Sequence, residues 1–303
     1  MIYLGIDAGA SHSEVVIAGA DLVVRARAEG PPAAVRPSGA AVSAAIIADT
    51  ARRAATAAGA TLPGAAAVVG AAGAGRVQEQ AELASALVET GVAQAVRVVP
   101  DGEIALIAAF GRGPGVVVSA GTGSIAYARD AEGRVYRAGG YGWQIGDEGG
   151  GYWLGRRALS EAARTIDGRA EGSTLSARLL SALGLERFDA VVRWAQTATP
   201  TQIAALAPHV LNAADDGEAV ARRAVNDAGR ELAALVVSLE RHFPGADPIP
   251  VAVAGSLLNP RSPLATAFWE VLGSLSARAQ RVLLIVDPAV AALRMAVELR
   301  NNE

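Results

Sequence analysis

The sequence predicts an α/β protein of two domains. The chain has 303 residues, 51% of them hydrophobic, which is enough to bury two cores. A strand, a turn of small residues and a second strand occur twice, with the first turn at residues 8–11 and the second at residues 119–124. Beyond each hairpin, apolar stretches typical of strands alternate with alanine-rich stretches typical of helices. This repetition predicts two halves built on the same hairpin unit.

In the first half, the hairpin precedes helices and strands in alternation. Glycine and prolines at residues 30–32 interrupt the strand pattern, and an alanine-rich helix is expected from about residue 38 to Gly59, a typical C-cap residue. The segments that follow are a strand at 65–70, a loop of small residues at 71–76, a helix to about 89, a strand at 96–100 and a helix at 104–110. The glycine-rich stretch 111–115 predicts a domain boundary.

The second half adds helices that the first half lacks. Residues 173–242 have helical character with short breaks and no counterpart in the first half, so they indicate an inserted helical subdomain of about 173–243. The other segments are a glycine cluster at 139–151, a helix at 152–166, a strand at 248–254, a glycine turn at 255–259, a last strand at 281–286 and a final helix from 287 to about 300. The predicted domains are residues 1–112 with 289–303, and residues 113–288.

Composition and charge exclude several classes of function. The formal net charge is −3 and no basic run occurs, which argues against nucleic-acid and anionic-membrane partners. No apolar run is long enough to cross a bilayer, and Asp7 interrupts the N-terminal run before it could serve as a signal peptide, so we expect a cytoplasmic protein. The chain contains no cysteine and no lysine, which excludes thiolate nucleophiles, iron–sulfur ligation by cysteine, a Walker P-loop and a lysine Schiff base.

The glycine turns are candidate phosphate sites, because such turns present backbone N–H groups to anions. The spacing Gly121-x-Gly123-x-x-Ala126 also matches a dinucleotide fingerprint, but that motif requires a helix, and the next turn at residues 130–133 comes too soon. The glycine cluster combines aromatic faces with polar groups, as sugar sites do. Two alternatives remain open here: Asp147 with Glu148 could cap the following helix, and Asp101 could cap the helix after Pro100.

Taken together, these segments resemble the actin-like ATPase superfamily of sugar kinases, and within it the group of N-acetylglucosamine kinase and the BadF/BadG-type ATPases. The resemblance covers nearly the whole chain. Residues 5–13 are similar to the first phosphate motif, 117–124 to the second, 251–256 to the adenosine motif and 286–292 to the start of the last helix. Residues 142–149 are the most specific match, to the Gly-Asp-Glu-Gly segment that contacts the sugar. The implied fold is a ribonuclease H-like βββαβαβα unit, duplicated, with a helical insertion in the second domain.

The resemblance also implies an activity, an ATP-dependent transfer of phosphate to an amino sugar such as N-acetylglucosamine or glucosamine, by a homodimer. Asp7 would hold Mg²⁺ through water, and Asp101 would be the catalytic base. The implied phosphate and nucleotide contacts are Gly9, Ala10, Ser11, Gly121, Thr122, Gly123, Gly255 and Ser256. The implied sugar contacts are Asp101, Tyr141, Gln144, Gly146, Asp147 and Glu148.

Two positions differ from the family pattern. His12 stands where relatives often carry lysine, and residues 30–34 lack the asparagine that commonly contacts the sugar, so either the sugar differs or the contact has been replaced. Two other functions stay open: a non-catalytic sensor of sugar or nucleotide, and a BadF-type ATPase without an iron–sulfur cluster. The three carboxylates Asp7, Asp101 and Asp147 favour the kinase, because a sensor needs no base.

Overall fold

The computed structural model describes residues 1–35, 39–170, 173–284 and 286–301. The strands are β1 Tyr3–Ala8, β2 Ser13–Ala18, β3 Val24–Gly30, β4 Gly64–Ala71, β5 Ala93–Pro100, β6 Gly115–Ala120, β7 Ser124–Arg129, β8 Val135–Gly139, β9 Ile249–Ala254 and β10 Ala279–Arg281. The helices are α1 Ala40–Ala57, α2 Val77–Glu89, α3 Asp101–Phe110, α4 Gly151–Ile166, α5 Leu175–Leu183, α6 Phe188–Ala195, α7 Pro200–Ala204, α8 Ala207–Asp215, α9 Ala219–Leu239, α10 Pro263–Leu275 and α11 Pro288–Asn301. Among the described residues, no helix combines the length and the apolar character needed to cross a membrane.

The strands form two five-stranded sheets with the same topology. Their orders are β3-β2-β1-β4-β5 and β8-β7-β6-β9-β10. In each sheet the first three strands are antiparallel neighbours, and the two later strands are parallel to the first. The predicted duplication of the hairpin unit is confirmed by this repeated order.

The chain divides into two compact units. Unit 1 comprises Met1–Arg112 and Leu284–Glu303, and unit 2 comprises Gly113–Leu283. The chain therefore re-enters unit 1 at Leu284 instead of residue 289. The reason is visible at Asp287, whose carboxylate accepts a hydrogen bond from Arg27 of β3 and which precedes α11.

Unit 1 has helices on both faces of its sheet. Helices α1 and α2 cover one face, and α3 and α11 cover the other. Helix α11 approaches β1 closely at Gly5, where a Cβ would meet the backbone of Ala289 and Leu293. Its buried alanines Ala289, Ala292 and Ala296 allow this approach. The expectation that the last helix packs on the N-terminal half is thus confirmed.

In unit 2, the long helix α9 has the place that α1 has in unit 1. It packs against β6, β7 and β8 and against α10, and its residues Leu232 and Val236 are fully buried. In chain order it lies between the three antiparallel strands β6–β8 and the next strand of the sheet, β9. The expectation that all of residues 173–243 lack a counterpart in the first half is therefore wrong for α9. The additional helices are those that come before it, α4–α8, which pack mainly on one another.

Two predicted elements differ in extent. Helix α3 begins at Asp101 instead of 104, with Pro100 in extended conformation before it. The predicted last strand at 281–286 is wrong: pairing with β9 covers Ala279–Arg281, and Leu283 is 80% exposed. The β-branched, apolar composition of this segment predicts a strand, but here the chain leaves the sheet towards unit 1. Ile285, within the predicted strand, lies outside the described residues.

Candidate functional site

The predicted Mg²⁺ residue and the predicted catalytic base lie at the same edge of the sheet of unit 1. Asp7 is near the end of β1, and Asp101 follows β5 directly as the first residue of α3. Strands β1, β4 and β5 are parallel neighbours, so their carboxyl ends lie side by side. The negative charge of Asp101 acts on Asp7. Ligand sites in α/β sheets commonly lie at such carboxyl ends.

The carboxyl of Asp7 has an unusual pKa. Burial is the largest cause, followed by the neighbouring carboxylates of Asp101, Glu14 and Asp287, and together they raise the pKa of Asp7 from 3.8 to about 7. At neutral pH this carboxyl is poised between its two protonation states. A cation bound beside Asp7 would stabilise the ionised form.

Arg27 organises the acidic groups around Asp7, although no pattern in the sequence singles it out. Its Nη1 donates to Oε1 of Glu14 at 2.6 Å, and its Nη2 donates to Oδ2 of Asp287 at 2.6 Å. Glu14 lies opposite Asp7 in the register of β1 and β2. The hairpin pattern could have identified this pairing of Asp7 with Glu14, but Asp287 is too distant in sequence to be placed by any local pattern.

The first predicted phosphate loop is a short exposed turn. The backbone N–H of Gly9 donates to the carbonyl of His12 at 3.0 Å, while Ala10 and Ser11 are exposed. The segment that lacks the expected asparagine lies directly beside it, since the N–H of Ala33 donates to the carbonyl of Gly9 at 3.1 Å. Ala33 is 1% exposed, so its side chain has no surface with which to contact a sugar.

The residues of unit 1 fit a phosphate-bound Mg²⁺ better than a metal held by protein alone. The described residues contain no group of three or more histidine, aspartate or glutamate side chains placed to hold a metal ion. Mg²⁺ in phosphoryl-transfer sites needs only one or two carboxylates, with waters and substrate phosphates as its other ligands. Asp7 meets this requirement, because it is a carboxylate beside a loop with exposed small residues.

In unit 2, the second predicted phosphate loop is tied to the start of α4. The carbonyl of Gly121 accepts from the N–H of Gly151 at 2.8 Å, and that of Thr122 accepts from the N–H of Tyr152 at 2.9 Å. Gly150 packs against the backbone of Gly123, where a Cβ would lie 2.6 Å from the carbonyl carbon. The loop and the first turn of the helix therefore form one connected piece of backbone.

Asp147 joins this phosphate loop to the predicted sugar loop. Its side chain lies against Gly123 and accepts hydrogen bonds from the N–H groups of Gly142, at 3.3 Å, and Ser124. Burial raises the pKa of the Asp147 carboxyl, and these backbone hydrogen bonds oppose the shift. Asp147 has a φ of 63°, in the left-handed region that aspartate tolerates better than most residues.

The alternative that Asp147 and Glu148 cap the helix is wrong. Helix α4 begins at Gly151, its N-cap residue is Gly150, and no side chain caps it. The backbone of Glu148 instead accepts a hydrogen bond from the hydroxyl of Ser124 at 2.6 Å. The cap position before α3 is likewise occupied by Pro100, and Asp101 accepts from the N–H of Gly102 at 2.9 Å.

The sugar loop exposes aromatic surface. Tyr141 is 63% exposed and Trp143 is 43% exposed, and Trp143 lies 5.0 Å from the ring of Tyr152. Gln144 is also exposed, and Gly146 lies where a Cβ would come within 3.4 Å of the Cβ of Tyr141. Exposed aromatic faces beside a half-buried carboxylate, that of Asp147, are a suitable surface for a pyranose ring.

The predicted adenosine motif adjoins the strand of the second phosphate loop. Gly255 has a φ of 86°, and it packs against the backbone of Ala120, the last residue of β6. Ser256 is exposed. Unit 2 thus brings three predicted segments together around the end of β6: the phosphate loop, the sugar loop and the adenosine turn.

Comparison with known proteins gives a family match over most of the chain. The profile of the BadF/BadG/BcrA/BcrD ATPase family matches residues 4–296. An N-acetylmuramic acid/N-acetylglucosamine kinase from Clostridium acetobutylicum is 36% identical over 166 residues, 54% of this chain and 54% of that protein. An N-acetyl-D-glucosamine kinase from Dictyostelium discoideum is 30% identical over 128 residues, 41% of this chain and 40% of that protein. The chain spans about half the length of the curated relatives that it matches, or less.

Solved structures resemble the whole chain. A protein from Chromobacterium violaceum, provisionally assigned as an N-acetylglucosamine kinase, has a TM-score of 0.80 at 30% identity and covers 96% of this chain and 97% of its own. A ROK family glucokinase from Streptomyces griseus, solved with glucose and AMPPNP, has a TM-score of 0.63 at 17% identity, covering 98% of this chain and 100% of its own. With the repeated sheet order, these likenesses confirm the predicted actin-like ATPase fold.

Proposed function

The chain belongs to the BadF/BadG/BcrA/BcrD ATPase family, and from this membership and the geometry of both sheets we propose that it is an ATP-dependent amino-sugar kinase. The substrates that we propose are N-acetylated or free amino sugars such as N-acetylglucosamine and glucosamine. The observation that carries the proposal is Asp147, whose side chain packs on Gly123 and so connects a sugar loop to a phosphate loop. A kinase must hold its acceptor and its phosphate donor together in this way.

Asp101 is the proposed catalytic base. In the proposed reaction the oxygen of a sugar hydroxyl forms a bond to the γ-phosphorus of ATP, and the bond from that phosphorus to the β,γ-bridging oxygen breaks. The hydroxyl proton passes to the carboxylate of Asp101, and ADP leaves with the bridging oxygen. This chemistry depends mostly on positioning and on neutralising charge, with one carboxylate to take the proton.

Asp7 is the proposed residue for Mg²⁺, which it would hold through water. The ion supplies charge neutralisation on the phosphates when it is bound. Because the pKa of Asp7 is raised to about 7, the carboxyl gains a full negative charge only when a cation is near or the pH is higher. The proposed phosphate contacts in this unit are Gly9, which is partly exposed, and the exposed residues Ala10 and Ser11 of the first loop.

Unit 2 supplies the proposed sugar and nucleotide contacts. Two backbone N–H groups already donate to Asp147, and a carboxylate has about four acceptor positions, which leaves room for sugar hydroxyls. The further proposed sugar contacts are Tyr141, Gln144, Gly146 and Glu148. The proposed phosphate and nucleotide contacts are Gly121, Thr122, Gly123, Gly255 and Ser256.

An assay of ADP release tests the proposal against its two alternatives. The panel should contain glucosamine, N-acetylglucosamine, N-acetylmuramic acid and glucose, each measured with ATP and Mg²⁺ and beside a reaction without sugar. A kinase releases ADP only when an accepted sugar is present. A sensor binds sugar or ATP in calorimetry but releases no ADP, and an ATPase of the BadF type releases ADP at the same rate without sugar. The homodimer stays a prediction, which light scattering would test.

A further inference from the structure

An arginine that none of these roles employs lies next to the sugar loop. Arg137 is on β8, an edge strand of the sheet of unit 2. Its neighbours Tyr136 and Ala138 pack against the core that includes α9, so strand alternation turns Arg137 to the opposite face. The Arg137 side chain is exposed.

A series of contacts places the guanidinium of Arg137 beside the proposed sugar contacts. Its central carbon lies 5.2 Å from the centre of the Tyr141 ring. The Cβ of Tyr141 in turn is near Gly146, and the N–H of the next residue, Gly142, donates to Asp147. The positive charge is therefore held on the aromatic ring that would face the sugar.

The guanidinium of Arg137 has its hydrogen-bonding edge available. Among the described residues no carboxylate pairs with it, whereas Arg134 on the same hairpin pairs with both Asp130 and Glu132. Stacking on a ring uses the face of a guanidinium and leaves the N–H groups at its edge free to bind a carboxylate in bidentate fashion. A solvent-exposed arginine ordinarily needs no partner, but this one lies over the ring of Tyr141, which favours its position beside the proposed sugar contacts.

We propose that Arg137 binds an acidic substituent of the sugar, so that the site accepts amino sugars bearing a carboxylate. This inference rests on the proposed function, because it assumes that Tyr141 and Asp147 contact the acceptor sugar. A carboxylate on a short ether arm, as in the 3-O-lactyl group of N-acetylmuramic acid, is the chemistry that a guanidinium beside the ring would recognise. N-Acetylglucosamine is the same sugar without that arm.

The test compares the two sugars in the whole protein and in Arg137→Gln. For each, kcat/KM is measured by ADP release, and binding of each sugar is measured by calorimetry. A hydrogen-bonded charge pair contributes about tenfold or more to binding, so the ratio of kcat/KM for N-acetylmuramic acid to that for N-acetylglucosamine should fall by about tenfold or more in Arg137→Gln. The loss should shrink in high salt, since ions screen the pair.

The matched control is Arg281→Gln. Arg281 stacks on Trp269 at 5.1 Å and lies on β10, at the opposite edge of the same sheet, so its replacement should leave the ratio unchanged. Equal loss for both sugars in Arg137→Gln would overturn the proposal, as would failure of N-acetylmuramic acid to bind the wild-type protein. If the acidic sugar binds through Arg137 in calorimetry but no sugar is phosphorylated, the kinase assignment fails and the binding inference stands.

Discussion

At the scale of single residues, the charge of Asp7 makes the stability of the protein depend on pH. Its pKa is about 7 in the folded protein and 3.8 in the unfolded chain, so between these values the folded state binds more protons. The contribution of Asp7 to the free energy of unfolding is fully present below about pH 3.8 and is lost as the pH rises through 7. Each unit of pKa difference corresponds to about 1.4 kcal/mol.

Replacing Asp7 by asparagine should remove this dependence. We expect Asp7→Asn to raise the melting temperature above that of the wild type at pH 8 without Mg²⁺, and the difference to shrink towards pH 4. Thermal unfolding measured from pH 4 to pH 8 checks this. The control is Asp21→Asn, which changes an exposed carboxylate in the same unit. A wild-type curve parallel to that of Asp7→Asn across this range would contradict the prediction.

Asp101 is the residue for which we expect the largest effect on rate. Asp101→Asn keeps the shape of the side chain and removes its basicity, and general-base catalysis contributes about 10²–10⁴-fold. The value of kcat should therefore fall by that factor while sugar and ATP bind within a few-fold of wild type. Steady-state kinetics beside calorimetry measure both. Glu103→Gln, on the first turn of the same helix, is the control. Near-normal turnover in Asp101→Asn would exclude Asp101 as the base.

Asp147 has a structural role in addition to its proposed role in sugar binding, and two substitutions separate the two roles. Asparagine tolerates the left-handed backbone and still accepts one hydrogen bond, whereas alanine is strained there and leaves two N–H groups without their acceptor. We expect both variants to raise KM for the sugar by about tenfold or more, and only Asp147→Ala to lose about 1–3 kcal/mol of stability. A lower melting temperature with unchanged KM would leave Asp147 a structural role alone.

Whether a site residue can be predicted from the sequence depends on whether its near neighbours in the chain mark its position. Asp7 lies near the end of β1 and Asp147 lies in a loop, and nearby glycines mark both positions, so both can be picked out as candidates from the sequence alone. Arg27 was missed because its two partners, Glu14 and Asp287, lie 13 and 260 residues away along the chain. No periodicity carries such pairings: the pair with Glu14 exists once β2 and β3 are neighbours, and the pair with Asp287 only once β3 and the start of α11 have come together.

At the scale of elements, the packing of α11 on β1 depends on Gly5. A Cβ at Gly5 would overlap the backbone of α11, which cannot yield as a flexible side chain can. Gly5→Ala should therefore destabilise unit 1 by about 1–3 kcal/mol, as overpacking of a core does. The control is Gly75→Ala, where an added Cβ meets nothing within 4 Å. Urea unfolding compares the two, and equal stability would show that α11 can move away without loss.

Strands can be predicted from the sequence where turn residues flank a segment that has the alternating pattern of a strand. The meanders β1–β3 and β6–β8 have both signals, and the structure contains both. Helix α9 cannot be told from the insertion by its sequence, because it is alanine-rich like the helices before it, and only its contact with the sheet distinguishes it. The apolar residues of the predicted last strand point to burial, but Leu283 is exposed because there the chain passes from one unit to the other.

At the scale of the whole molecule, the two units differ in how the chain builds them. Unit 2 is one continuous segment, Gly113–Leu283, while unit 1 needs residues from both ends of the chain. The face of the first sheet that α11 covers contains Tyr3, Val16 and Val68, each less than 5% exposed. Without α11 this apolar face would meet water. Burying a large apolar side chain contributes about 1.5–3 kcal/mol, so several such losses approach the total stability of a domain.

Truncation after Leu283 should therefore unfold unit 1 and spare unit 2. We expect the chain 1–283 to lose protection from hydrogen exchange in β1 and β4 while β6, β9 and α9 keep theirs, because their buried partners all lie within Gly113–Leu283. The isolated segment 113–283 is the control, and it should melt cooperatively on its own. Exchange followed by mass spectrometry resolves the two regions. If β1 and β4 stay protected in 1–283, the first sheet does not depend on α11; if 113–283 fails to fold, the two units are not separable in stability.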